Sequence, residues 1–255
     1  MTSIENFSFT IAIPLYNEEL GLDQLKVKLD EAIKKFSDKV DIKIFLIDDG
    51  SEDDTSKLLQ EIFSETHFYI FTHEVNLNLG AFLNTAITNC DTEYIGFLDS
   101  DCTYEPEVLF EMLNKTNLGF DIINASPLHP DGKVDGLSRF RWSISFVANL
   151  IYRILVNKKI YTSSSICKIY KTSLIKDIQI QQNNFVAITE LFLKTILYKK
   201  IDHYEFPCEL NTRKYGESKI KFLPTIKSHI LLMIEIILIK IRFKKTVFKN
   251  QISNE

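Results

Sequence analysis

Asp99, Ser100 and Asp101 close the apolar run Tyr94–Leu98. A strand that ends in Asp-x-Asp puts two carboxylates at the carboxyl edge of a sheet, where open α/β folds bind ligands. Hard oxygen donors on so short a spacing suit Mg²⁺ or Mn²⁺, ions that usually accompany substrate phosphates. Alone, the same tripeptide is also an ordinary acidic turn. A second acidic cluster, Asp48-Asp49-Gly50-Ser51, follows the apolar run Ile42–Ile47. Two clusters at strand ends argue for one shared site, and for metal-assisted handling of a nucleotide diphosphate.

The elements that must position these acids alternate between two periods. Phe7–Ile13 reads as a buried strand stopped by Pro14. Asn17 opens a helix to about Phe36, with Leu22, Leu25, Leu29, Ala32 and Ile33 at helical spacing. Ile42–Ile47 is a second strand, and Asp53 or Asp54 can cap the helix Thr55–Ser64. His67–Thr72 is a third strand, Gly80–Asn89 a helix and Tyr94–Leu98 a fourth strand. Alternation of this kind predicts a mainly parallel α/β sheet flanked by helices. Further on, Pro106–Leu113 is a helix and Asp121–Ala125 a strand. Ser126–Arg141, with two prolines and two glycines, is expected to be a mobile loop. Trp142–Val156 is amphipathic, with Ile144, Val147, Ile151, Ile154 and Leu155 on its apolar side. Ile160–Tyr170 is expected to return to the sheet edge, and Ala187–Tyr198 is a helix carrying Glu190.

The net charge of −4 conceals an asymmetry. Residues 199–249 hold 12 Lys/Arg against 5 Asp/Glu, which leaves 18 against 29 for the remainder. An acidic body with a basic, apolar tail predicts a partner with an anionic surface, and a membrane fits best. No basic-aromatic recognition motif accompanies the charge, so nucleic acid is not expected. The run Ile230–Ile239 is interrupted by Glu235 and falls short of the roughly 20 apolar residues that cross a bilayer. It reads as an interfacial amphipathic helix or a packed terminal helix. The expected organisation is therefore a catalytic domain over residues 1–220 and a helical tail over 221–255. Cys90, Cys102, Cys167 and Cys208 show no metal or redox spacing, and Met1–Asn6 has no signal-peptide features. Both point to a cytoplasmic chain, peripheral on the cytosolic face of a membrane.

Four segments resemble a known family. Pro14-Leu15-Tyr16-Asn17-Glu18 matches P-x-Y-N-E, and Asp48–Thr55 matches D-D-G-S-x-D-x-T. Asn78-Leu79-Gly80-Ala81 resembles the N-x-G-x-x-A helix start, and Asp99-Ser100-Asp101 is the D-x-D signature. In this order and spacing they resemble a family 2 glycosyltransferase of the GT-A (Rossmann-like) fold. Arg213–Lys219 resembles the R-x-x-G-x-S-K motif of dolichyl-phosphate mannose synthases and bacterial polyprenyl-phosphate glycosyltransferases. Arg141 and Glu190 stand where similar residues occur in that subgroup.

The resemblance implies an inverting transfer from a nucleotide-diphosphate sugar to a polyprenyl phosphate. By it, Pro14, Tyr16 and Glu18 line the base and ribose pocket, and Asp49 accepts a hydrogen bond from base or ribose. Of Asp48 and Asp49, one but not both is expected to serve only as a cap. Asp101 and Asp99 are the metal ligands, for Mg²⁺ or Mn²⁺, with Ser100 and Thr103 completing the donor environment. Arg213, Ser218 and Lys219 present donors suited to phosphate oxygens, and Arg141 could hold the acceptor phosphate. A hydroxyl acceptor would instead need a carboxylate base, for which Glu190 and Asp135 are the candidates.

Two segments depart from the subgroup. Ala125-Ser126-Pro127 replaces G-S-R and lacks its cation, and Tyr161–Ile166 lacks the acid and glycine of D-x-x-S-G-F. Both changes concern the acceptor side. They leave open transfer to a glycan hydroxyl, or a silent sugar-nucleotide-binding subunit of a membrane complex. The paired membrane helices of some relatives are missing, which is expected of a peripheral type or one with a separate membrane-protein partner.

Overall fold

The computed structural model describes residues 7–36, 40–135, 139–199, 201–212 and 222–252. Strands β1 (Phe7–Leu15), β2 (Val40–Asp48), β3 (Phe68–Thr72) and β4 (Tyr94–Phe97) alternate with helices α1 (Leu22–Phe36), α2 (Thr55–Ile62) and α3 (Asn78–Asn89). Then follow α4 (Pro106–Leu113), β5 (Ile122–Ser126), β6 (Lys133–Val134), α5 (Arg139–Val156) and β7 (Lys168–Lys171). The chain continues through α6 (Val186–Tyr198), β8 (His203–Pro207), β9 (Glu209–Leu210) and α7 (Phe222–Ile252).

Seven strands form one mixed sheet in the order β3-β2-β1-β4-β7-β5-β8. All neighbours are parallel except β7, which runs antiparallel to both β4 and β5. Period-2 alternation divides the side chains between two cores. Phe9, Ile11, Ile13, Ile42, Ile44 and Leu46 face α1, α2 and α4, whereas Ala12, Phe45 and Ile47 face α3, α5, α6 and α7. Helix α6 is buried along most of its length because α3, α5 and α7 surround it.

Several expectations change. Pro14 lies inside β1 rather than ending it. Its missing N–H falls on the β4 side, where pairing has already stopped at Ala12–Phe97. Helix α1 begins at Leu22, because Asn17 takes a left-handed φ of 50° and residues 16–21 form turns. Segment 160–170 supplies an internal strand, not an edge. The region after Ser126 is not wholly irregular, since β6 pairs with β9 in a two-stranded ribbon. Helix α5 buries Tyr152 and Val156 and leaves Val147, Ile151 and Ile154 of its apolar side exposed. Among the described residues, no helix is long and apolar enough to cross a membrane.

Candidate active site

The strand order reverses between β1 and β4, which opens a crevice at their carboxyl ends. Tyr16–Glu18 follow β1, Asp49–Ser51 follow β2, and Asp99–Asp101 follow β4 by one residue. The D-D-G-S-x-D-x-T segment shapes this edge by hydrogen bonding. Ser51 Oγ accepts from Asn17 N–H at 2.9 Å, Thr55 Oγ1 from Glu18 N–H at 2.8 Å, and Asp53 from Glu19 N–H at 3.3 Å. Asn17 answers by accepting from Glu52 N–H at 2.8 Å. These bonds hold a turn whose own backbone groups have no strand partner.

Asp48 accepts from Ser51 N–H and Oγ–H and from the Ser56 hydroxyl. Asp49 accepts from Leu77 N–H (3.0 Å), Asn78 N–H (2.6 Å) and the His73 ring (2.7 Å). His73 Nε2 in turn pairs with Thr85 Oγ1 at 2.9 Å. Both acids therefore anchor local structure. Three of four acceptor positions on Asp49 are filled among the described residues. His73 and Thr85 carry no sequence signal for this role. Gly50 lies beside the Asp49 anchor with a φ of +72°, and a Cβ there would meet the Val75 backbone at 2.4 Å.

Asp99, Ser100, Asp101 and Thr103 are all half-buried. Thr103 joins the two acids: its hydroxyl donates to Asp99 at 2.6 Å and its N–H to Asp101 at 3.1 Å. Burial, then the neighbouring Asp101, push the Asp99 carboxyl up to about 8. Two carboxylates this close together at a strand end fit a divalent ion. Asn211 N–H donates to Thr103 O at 3.0 Å, so the chain leaves the Asp-x-Asp turn two residues before Arg213. Arg213, Ser218 and Lys219 lie outside the described residues. Arg141 sits in the first turn of α5, its side chain likewise outside what is described.

Glu190 is committed to contacts inside the fold. It is fully buried, accepts from Gln181 N–H (3.0 Å) and Gln182 N–H (2.7 Å), and pairs with Lys194. Lys194 continues to Glu235 of α7 at 2.7 Å. The segment fastened by Glu190 packs on α3, where Asn183 O accepts from Gly80 N–H at 3.0 Å. Glu190 is thus a positioning residue. Asp135 forms an exposed pair with Lys133, which holds its carboxyl below the usual range and makes it a weak base.

The two segments that depart from the subgroup meet each other. Glu205 accepts from Ser126 Oγ (2.6 Å), Tyr161 N–H (2.9 Å) and Asn124 Nδ2 (2.9 Å). Lys168, fully buried, donates to the carbonyls of Ser163 (3.1 Å) and Ser165. Burial pushes its ammonium down to about 7, against the pull of Glu205. Asn149 of α5 accepts from Ser163 N–H at 2.7 Å. Lys168 and Glu205 were missed by the sequence reading, although each is a charge flanked by apolar residues in a strand.

Residues 10–179 match the family described as Glycosyl transferase family 2. The chain belongs to glycosyl transferase family 2. It is 26% identical over 221 residues to the undecaprenyl-phosphate 4-deoxy-4-formamido-L-arabinose transferase of Salmonella choleraesuis, covering 85% of this chain and 64% of that one. It is 24% identical over 214 residues to the dolichol-phosphate mannosyltransferase of Pyrococcus furiosus, covering 83% and 59%. This family 2 chain thus spans less than two thirds of those relatives. Among solved structures, glucosyl-3-phosphoglycerate synthase from Mycobacterium tuberculosis with Mg²⁺ and UDP superposes with a TM-score of 0.66 at 15% identity, covering 90% and 79%. S. aureus TarS with UDP gives 0.62 at 21%, covering 91% and 65%. The fold is GT-A.

Proposed function

We propose that this chain transfers a sugar from a nucleotide-diphosphate sugar to a polyprenyl phosphate, inverting the anomeric centre, at the cytosolic face of a membrane. The paired Asp99 and Asp101 carboxylates in the β1–β4 crevice carry this reading, supported by the two relatives named for polyprenyl-phosphate transfer. Pro14, Tyr16 and Glu18 would line the base and ribose pocket, with the remaining Asp49 acceptor position turned to the same donor. Asp99 and Asp101 would hold Mg²⁺ or Mn²⁺, whose charge offsets that of the leaving diphosphate when bound. No group of three or more ligating side chains forms among the described residues, so diphosphate oxygens and water would complete the coordination.

Arg213, Ser218 and Lys219 would meet phosphate oxygens, and Arg141 the acceptor. A lipid phosphate arrives anionic and needs positioning more than a base. The internal commitments of Glu190 and Asp135 favour such an acceptor over a hydroxyl. Helix α7 exposes Ile230, Ile234, Leu238 and Ile241 beside a basic C-terminal segment, a pattern suited to an anionic membrane surface. The lost cation at Pro127 favours the second reading, transfer to a glycan hydroxyl.

The test is transfer from labelled sugar nucleotides to undecaprenyl phosphate with Mn²⁺. Label in an acid-labile, solvent-extractable lipid, lost in Asp101→Asn, is expected. Donor hydrolysis without lipid product would move the acceptor to a hydroxyl.

A further inference from the structure

Helix α5 carries an apolar stripe that no other described segment buries. Trp142, Phe146, Leu150 and Ile154 recur at four-residue spacing, and Ile154 is 68% exposed. The helix is held from its other side. Tyr152 Oη pairs with His229 Nδ1 of α7 at 2.8 Å, and Lys240 donates to the Leu155 carbonyl. The stripe is therefore fixed outward rather than waiting to fold in.

At its C-terminal end the stripe runs into a shallow depression of about 440 Å³ lined by Leu150, Arg153, Ile154, Asn157, Lys158 and Lys159. Asn157 adopts a φ of 53°, so the chain turns sharply and brings both lysines back beside Arg153. Arg153 and Lys159 lie over the Tyr161 ring at 5.6 and 5.5 Å, and Lys158 donates to Ile201 O at 3.4 Å. None of the three forms an ion pair with a carboxylate among the described residues. The nearby Glu205 is half-buried and engaged with Ser126, Tyr161 and Asn124. Three exposed cations beside one depression give it a positive character that suits an anionic ligand.

We propose that this depression is a headgroup site for an anionic phospholipid of the membrane. Arg153, Lys158 and Lys159 meet the phosphate, and Leu150 and Ile154 lie against the start of the acyl chains. Free phosphate would use the cations but not the stripe, and the continuity of the two identifies an amphiphile. The lipid does not react. It seats α5 on the bilayer next to Tyr161, whose backbone belongs to the Glu205-held segment at the acceptor side. The site rests on the membrane-surface reading above but not on the identity of the acceptor.

The experiment is co-sedimentation of the full chain with vesicles of phosphatidylcholine, alone or mixed with phosphatidylglycerol. It compares the wild type with Arg153→Gln/Lys158→Gln/Lys159→Gln and with Ile154→Ser, each checked for an unchanged thermal melt. At about 1 kcal/mol per cation near an anionic surface, the triple variant should partition on the order of a hundredfold less to mixed vesicles. Ile154→Ser should also weaken binding, and transfer to detergent-dispersed undecaprenyl phosphate should persist in both variants. Equal binding of wild type and triple variant would overturn the site. So would equal binding of the wild type to neutral vesicles, or displacement from mixed vesicles by millimolar inorganic phosphate. Parallel loss of transfer in detergent would make the depression part of the acceptor site and overturn the docking role. Retained, cation-dependent vesicle binding without any lipid-linked product would sustain the site while refuting the proposed acceptor.

Discussion

Replacing Lys168 by Met tests whether a buried ammonium holds the segment from Tyr161 to Ser165 in place. In the folded chain Lys168 is inaccessible, and burial brings its ammonium down to about 7 from an ordinary value of 10.5. Below pH 7 both folded and unfolded chains carry the proton, and burial of the charge costs about 5 kcal/mol. Between pH 7 and 10.5 the unfolded chain binds the proton that the folded chain has lost. Stability then rises with pH by about 1.4 kcal/mol per unit. Methionine removes the titration but leaves the Ser163 and Ser165 carbonyls without their donor, at about 1–3 kcal/mol each. The two effects roughly offset at pH 6. At pH 9 the wild type should be the more stable by about 3 kcal/mol more than at pH 6. Urea unfolding of both proteins at the two pH values gives this difference directly, because every other titrating group cancels. Identical pH dependence in the two proteins would refute the assignment. A retained donor KM with a raised acceptor KM would tie the same segment to the acceptor.

Asp101→Asn and Asp99→Asn should each abolish tight Mn²⁺ binding and lower transfer by at least about a hundredfold, measured by calorimetry and product formation. Gly80→Ala would place a Cβ 2.3 Å from the Gln182 carbonyl. It should lower stability by about 1–3 kcal/mol, seen as a reduced melting temperature. Glu190→Gln should destabilise by a similar amount through its loosened hold on Lys194 and residues 181–182. Its pH–rate profile should keep the wild-type shape; a lost acidic limb would restore Glu190 as a base. Asp49→Ala should raise the donor KM more than it lowers kcat, because it releases the start of α3 and His73 together.

Local pattern made the N-terminal half of the molecule readable. Strands β1, β2 and β4, the helices after them and the acids at their ends are written in short-range periodicity, turn residues and spacing, which act within a few residues. The place of Asp99 and Asp101 at the crevice therefore followed from the sequence. What lies across the sheet did not. Segment 160–170 was expected at the sheet edge; the sequence could not say that it enters antiparallel between β4 and β5, since that choice is made by residues far apart in the chain. Glu190 and Asp49 are polar groups whose hydrogen-bond partners come from distant segments, so only the fold could assign them to anchoring. Helical spacing likewise marked α5 as amphipathic. It could not say which stripe would be covered, because burial of Tyr152 depends on His229 of α7, 77 residues away. Tertiary packing decided that, and left Ile154 and its neighbouring cations facing outward.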